Sequence, residues 1–126
     1  MFLNPKNTSI FVGNLGKDPE ERETAGGKSF ARFSIAINER GRDADGERTT
    51  LTTWVPLTLF GPSVEPFLEY VAKGDQVLIY AKYHTYEFEK DDETRYGHGF
   101  NVVSWEKLSP RTSGRDEEED EEEFAF

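Results

Sequence analysis

The residues of this chain best equipped for chemistry are flat aromatic rings set among polar neighbours. Trp54 follows Thr52 and Thr53, and Phe88 lies between Glu87 and Glu89. Phe60 closes the same run as Trp54, Tyr86 precedes Phe88 by two positions, and Tyr70 stands between them in the chain. Rings surrounded by apolar residues pack a core. Rings surrounded by polar residues offer faces on which nucleobases stack, at about 1–3 kcal/mol per base. A phosphate backbone also needs cations along its path. The candidates are Arg22, Arg32, Arg40, Arg42, Arg48 and Lys73, with Lys6, Lys28 and Lys82 as further basic positions. Arg32 is the most telling of these, because it interrupts a small apolar run between Ala31 and Phe33. Arg40, Arg42 and Arg48 share one charged segment and could wrap a backbone.

Other chemistries fail on their spacing. Gly27-Lys28-Ser29 looks like the end of a phosphate-binding loop, but Arg22 stands where that loop needs glycine and a strand follows where it needs a helix. His84 and His98 fall on different strands, with no carboxylates placed to complete a metal site. Asp91-Asp92-Glu93 lacks the glycine and the spacing of a calcium loop. No nucleophile is ordered beside either histidine. The expectation is a protein without catalytic residues, metal or cofactor.

Charge divides the chain. Residues 1–115 hold 15 basic and 17 acidic side chains, a net of −2. Asp116, Glu117, Glu118, Glu119, Asp120, Glu121, Glu122 and Glu123 carry the rest of the net −10, and Phe124, Ala125 and Phe126 follow them. The pI of 4.7 therefore describes an appendix more than a body, and it does not exclude a polyanionic partner. The sequence has no cysteine, which excludes disulfides and suits a reducing compartment. Nothing at the start reads as a signal peptide, and no run approaches the roughly 20 apolar residues that a bilayer span needs.

The elements that must hold the rings follow from hydrophobic periodicity. Thr8 to Val12 is a short β-prone run, and Lys17 to Gly27 is polar, with Gly26-Gly27 read as a hairpin turn between the first two strands. Ser29 to Asn38 alternates, with Ala31, Phe33, Ile35 and Ile37 on the apolar side. Glu39 to Thr49 reads as a long mobile loop. Thr50 to Phe60 is a third strand, where Pro56 demands an edge position or a bulge. Val64, Phe67, Leu68 and Val71 follow helical spacing, with Ser63 as N-cap and Gly74 as C-cap. Asp75 to Phe88 and Tyr96 to Trp105 are the fourth and fifth strands, joined by a charged loop tip at Glu89 to Glu93. The helix between the third and fourth strands predicts a mainly β fold, a five-stranded Greek-key barrel of the OB type, whose strand faces and loops bind oligonucleotides or oligosaccharides, with a generic mixed α+β sheet as the competing fold. Residues 1–108 make that domain. Residues 109–126, polar and charged, are expected to be a disordered linker and acidic tail.

Several stretches resemble the bacterial-type single-stranded-DNA-binding proteins. They are Val12-Gly-Asn-Leu-Gly-Lys-Asp-Pro-Glu20 with Arg22, then Ala31-Arg-Phe-Ser-Ile-Ala36, Thr53-Trp54 leading to Leu59-Phe60-Gly61, and Glu69-Tyr-Val-Ala-Lys-Gly-Asp-Gln-Val77, with acids before Phe126. The resemblance spans about residues 8–108 and the last few positions. It implies an OB-fold that binds and protects single-stranded DNA in replication, recombination and repair. It also implies a homo-oligomer, with a tetramer favoured over a dimer, and a tail that recruits replication and repair proteins. The cytoplasm is the implied location, at the nucleoid or in a host cell if the chain is phage-encoded. Trp54, Phe60 and Phe88 fall at the family's base-stacking positions. Phe88 stands where tryptophan is frequent, and Arg40 stands where another aromatic is common. The segment Glu87 to Glu93 is more acidic than a DNA-facing loop of that family. An OB-fold protein-interaction subunit of a replication or restart complex is the competing reading.

Overall fold

The computed structural model describes residues 4–109, so the acidic tail expectation falls outside the described residues. Six strands and one helix run in the order β1 (Ser9–Leu15), β2 (Glu20–Glu23), β3 (Ser29–Arg42), β4 (Arg48–Phe60), α1 (Val64–Tyr70), β5 (Gln76–Lys90) and β6 (Glu93–Lys107). The sheet order is β1-β5-β6-β4-β3-β2, and β1 also pairs with β3. That last pairing, Asn14 with Ala36 and Leu15 with Ile35, closes five strands into a barrel. Gly13 permits the closure, since a Cβ there would meet the Ala36 carbonyl oxygen at 2.6 Å.

Alternation decides which side of each strand faces in. On β3, Ala31, Phe33 and Ile35 are buried while Arg32 and Ser34 face out. On β4, Val55, Leu57 and Leu59 are buried, and on β5, Val77, Ile79 and Ala81. The largest fully buried side chain among the described residues is Phe67 of α1. Its centroid lies 4.5 Å from Phe33 and 5.0 Å, edge-on, from Trp105. On β6 the parity changes: Ala81 pairs with Val102 but Tyr80 with Ser104, so Val103 is an extra residue. That bulge lets both Val102 and Trp105 face the core, which strict alternation forbids.

The sequence reading needs correction at several elements. The polar stretch after β1 contains β2, which pairs with β3 from Glu20–Arg32 to Glu23–Ser29. The glycine turn at Gly26-Gly27 therefore joins β2 to β3 rather than the first two barrel strands. The loop expected over 39–49 is mostly strand: β3 and β4 stay paired out to Arg42–Arg48. The fourth and fifth strands likewise stay paired to Lys90–Glu93, and Asp91 and Asp92 form a two-residue turn with φ of 55° and 63°. Both central residues at positive φ suit the right-handed twist of a hairpin. Ser63 occupies the N-cap position without a side-chain cap bond. Gly74 is not the C-cap, because α1 gives way at Val71 to extended backbone, and Gly74 belongs to a turn in which the Asp75 amide donates to the Ala72 carbonyl. Pro56 pairs with Ser34, and β6 reaches β4 only at Leu57 and Thr58. No ladder partner among the described residues therefore faces the other side of Pro56, as its missing N–H requires.

Polar bonds fasten the base of the last hairpin. Lys107 Nζ lies 3.5 Å from the Asp75 carboxylate and donates to the Tyr70 carbonyl. The Gln76 amide donates to Ser109 Oγ at 2.9 Å, which ties Ser109, placed in the linker from sequence, onto the barrel. Asn7 brackets Tyr83 on β5: Asn7 Nδ2 donates to the Tyr83 carbonyl, and the Tyr83 amide donates to Asn7 Oδ1.

Phe67→Ala removes the ring that joins α1 to both sides of the barrel. It is expected to cost about 3–5 kcal/mol of stability, read from urea denaturation. A loss below about 1 kcal/mol would show that α1 is peripheral to the core.

Candidate nucleic-acid interface

The outward residues of the sheet form one surface. Pairing registers place Glu20, Arg32, Thr58, Asn101 and Lys82 in a single row across β2, β3, β4, β6 and β5. Paired residues share a face, so the outer side of β3 and β4 continues onto the outer side of β6 and β5. The β4–β6 pairing is parallel. Residue numbers therefore fall toward the tip of both hairpins, and both arms leave the row in the same direction. From Thr58 to Arg48 the first arm extends about 33 Å, and from Asn101 to Glu93 the second extends about 27 Å, at 3.3–3.4 Å per residue.

The first arm carries rings near its root and cations at its tip. Phe60 faces Phe30 across the ladder, with centroids 5.2 Å apart. Trp54 is opposite Ala36, and its ring lies over the backbone of Gly16. A methyl at Gly16 would come within 2.6–2.7 Å of the six-membered ring, so only glycine lets the indole lie there. Trp54 is 57% exposed, Phe60 46% and Phe88 40%. They are surface rings, in contrast to Trp105 against Phe67. Beyond Trp54, Thr52 Oγ1 donates to Asn38 Oδ1. Arg40, Arg42 and Arg48 then line a hollow of about 600 Å³ at the tip. Arg42 stands directly opposite Arg48 and donates to the Gly46 carbonyl at 2.7 Å.

A second hollow, of about 480 Å³, joins Trp54 to Lys17, Arg22 and Arg32. Arg22 is already engaged: its Nη2 and Nε donate to Glu20 at 2.8 and 3.2 Å. This hydrogen bond, with the Arg22 charge behind it, holds the Glu20 carboxyl below its ordinary pKa. A lowered pKa means that the pair is intact at neutral pH and is lost as pH falls through that lowered value, which releases Arg22 in acid. Both groups are open to water, so the consequence lies in the availability of Arg22 and not in stability.

The second arm separates most of its charges by face, with Glu93, opposite Lys90, the acid on the outer side. Lys82, His84, Tyr86, Phe88 and Lys90 point outward from β5, and Phe88 stands opposite Arg95. Glu87 and Glu89 occupy the other face, with Tyr83 and Tyr96. The acidity of residues 87 and 89, suspicious in sequence, is therefore on the far side of the strand from Phe88.

The fold thus brings Trp54, Arg22 and Arg32 to one hollow, and Arg40, Arg42 and Arg48 to one arm tip. Phe60 lies on the same outer face beyond the row, and Phe88 on the second arm. Lys73 lies in the turn after α1, where its amide donates to Asp18 of the Trp54 hollow, and Tyr70 is on α1. Sequence reasoning missed Phe30 as the partner of Phe60, and missed the glycine seat under Trp54. The second left no signal in the sequence, because Trp54 stands on β4, which does not pair with β1.

A barrel of the OB type, with rings and cations on the outer face of its sheet, is the architecture of a nucleic-acid binder. The model of the single-strand binding protein family matches residues 6–108, and the chain belongs to that family. Single-stranded DNA-binding protein 1 of Chlorobaculum tepidum is 30% identical over 110 residues, covering 86% of this chain and 68% of that protein. Among solved structures, the Plasmodium falciparum SSB complex with ssDNA superposes with a TM-score of 0.69 at 23% identity, over 86% of this chain and 100% of that one. The wild-type protein of Thermus aquaticus superposes with a TM-score of 0.68 at 21% identity, over 83% of this chain and 51% of that one. These two likenesses concern the fold.

Gly16→Ala is expected to lift the Trp54 indole off the barrel. Iodide quenching of tryptophan emission should rise, with Trp105 contributing little because it packs against Phe67. Unchanged quenching would mean that Trp54 is not seated on Gly16.

Proposed function

We propose that this chain binds single-stranded DNA without regard to base sequence, across the outer face of the sheet. The observation that carries the reading is the shared side of the two arms. Rings and cations from both lie along one surface, and Glu87 and Glu89 lie on the other face of their arm. Trp54, Phe60 and Phe88 take the bases. Arg22, Arg32, Arg40, Arg42, Arg48 and Lys73 take phosphates. Ring faces accept every base, so stacking of this kind carries little sequence preference. The opposed arginines support the same reading: like charges across a ladder repel, and a bound phosphate relieves them. The name of the Chlorobaculum tepidum relative and the single strand bound in the Plasmodium falciparum complex point the same way.

The reading extends beyond the barrel. Residues Asp116 to Glu123, with Phe124 and Phe126, recruit replication and repair proteins by offering acids and a terminal ring to a basic-rimmed apolar pocket. The chain assembles as a homo-oligomer, with a tetramer favoured. What supports assembly is β1: it pairs with β5 from Ser9 to Asn14, but with β3 only at Asn14 and Leu15. Its second edge is open over most of its length among the described residues, with Ile10 exposed. Replication, recombination and repair are the settings proposed, and no catalytic step is assigned. Among the described residues no helix is long and apolar enough to cross a membrane.

Titration with oligo-dT at low salt is expected to quench tryptophan emission, and an unchanged signal would overturn the reading. The simultaneous Arg40→Ala, Arg42→Ala and Arg48→Ala variant should flatten the slope of log K against log salt by about 2, at about 0.7 per lost phosphate contact. An unchanged slope would remove the arm tip from the phosphate path.

A further inference from the structure

Deepening that reading, and resting on it, we infer that His84, Tyr86 and Phe88 form a stacking ladder that takes one base per ring from an unstacked single strand. All three lie on the outer face of β5. Centroids are 5.6 Å apart from His84 to Tyr86 and 6.1 Å from Tyr86 to Phe88, with successive planes inclined at 32° and 42°. The facing strand holds no side chain opposite the first two: His84 pairs with Gly99 and Tyr86 with Gly97, whereas Phe88 pairs with Arg95. A Cβ at Gly97 would lie 2.5–2.7 Å from the Tyr86 ring, and one at Gly99 would lie 3.4 Å from His84 Cε1. Gly97 therefore lets the Tyr86 ring lie down across the arm, while a Cβ at Gly99 would make only ordinary contact with His84. Tyr86 keeps 48% of its surface open in that position. Among the described residues the buried Nδ1 atom of His84 has no hydrogen-bond partner, and the contact shown for the imidazole in the ladder is with the Tyr86 ring.

The spacing selects the occupant. Bases stacked as in a B-form strand rise 3.4 Å per nucleotide. Rings 5.6–6.1 Å apart cannot each receive a base from such a stack, but they match a strand drawn out to nearly twice that rise. Cations frame the track: Lys82 at its root, Lys90 near its tip, and Arg95 opposite Phe88. Arg95 lies 3.7 Å from Glu93, a loose exposed contact that a phosphate can displace. The other face of the same arm also has rings, Tyr83 and Tyr96, but Glu87 stands opposite Tyr96 and Glu89 lies beyond it, so charge complementarity favours the glycine-backed face.

Tyr86 could instead serve only to cover Gly97 and hold the hairpin. The two roles separate by shape. Tyr86→Leu still covers the glycine but offers no flat face, whereas Tyr86→Phe keeps the face. With fluorescent (dT) strands long enough to span both arms, Tyr86→Phe should bind within about twofold of the unmutated chain. Tyr86→Leu should lose about 5- to 100-fold, the range for one stacked base. Equal affinity in all three, or an equal loss in both variants, overturns the ladder. Ring-labelled tyrosine NMR of the unmutated chain gives a reading free of folding effects. The Tyr86 signal should move on titration with (dT) while the Tyr96 signal stays, and a stationary Tyr86 overturns the ladder. Failure of the unmutated chain to bind (dT) at all overturns the single-strand reading and the ladder with it.

Discussion

Two residue pairs, Leu57–Phe100 and Thr58–Asn101, join β4 directly to β6, and the alignment of the two arms on the outer face depends on their register. Side chains alternate with a period of two, so a slip of one residue would turn the second arm over. Glu87, Glu89 and Tyr96 would then lie beside Trp54 and Arg32, and Tyr86 and Phe88 would face away. The core holds the register. Leu57 is buried, Phe100 packs against the core, and the Val103 bulge keeps Val102 and Trp105 inside together. A short contact between strands thus acts at long range, because two extended hairpins transmit its parity outward.

The arms obey different physics from the barrel. Within the barrel, one side of each strand is dry and burial of apolar surface decides the arrangement. Past Asn38 on β3 and past Phe100 on β6 both sides of each arm meet water, and cross-strand contacts between side chains supply the local stability. Glycines are costly in strands for lack of a side chain to pack. Here Gly97 is used because a large ring lies over its position. Gly16 does the same for Trp54. Seated in this way, an aromatic ring is held along one side and remains open on the other, which is what a stacking surface requires. The rings are thereby ordered before a base arrives, so less entropy is lost on binding.

This difference also explains what could be read in the sequence. The period of two over Ala31, Phe33 and Ile35 records a barrel strand, and Val64, Phe67 and Val71 record a helix face, because burial selects apolar residues at those steps. Past residue 38 on β3 nothing is buried, so no apolar period marks the strand, and Glu39 to Thr49 looked like a loop. The same holds for the tip of β5 and β6. The four residues of β2 are all exposed and give no signal. Trp54, Phe60 and Phe88 stood out as rings among polar neighbours. Which face Phe88 shared with which charges depended on pairings in three dimensions. Gly74 looked like a helix cap because glycine at positive φ is common there; its φ of 89° is instead spent in the following turn.

Charge arrangement completes the picture. The body carries cations and acids in comparable number, and on the second arm the fold places Glu87 and Glu89 on the face away from Lys82, Lys90 and Arg95. The central claim is that one face of the sheet is the track for a single strand. Ultraviolet cross-linking of oligo-dT to the full chain, with the adducts mapped by peptide mass spectrometry, tests it most directly. Exposure alone would favour Tyr96, which at 72% is more open than Trp54, Phe60 or Phe88. The predicted result is adducts at Trp54, Phe60 and Phe88 and none at Tyr83 or Tyr96. Adducts concentrated on Tyr83 and Tyr96 would contradict it and move the strand to the opposite face of the second arm.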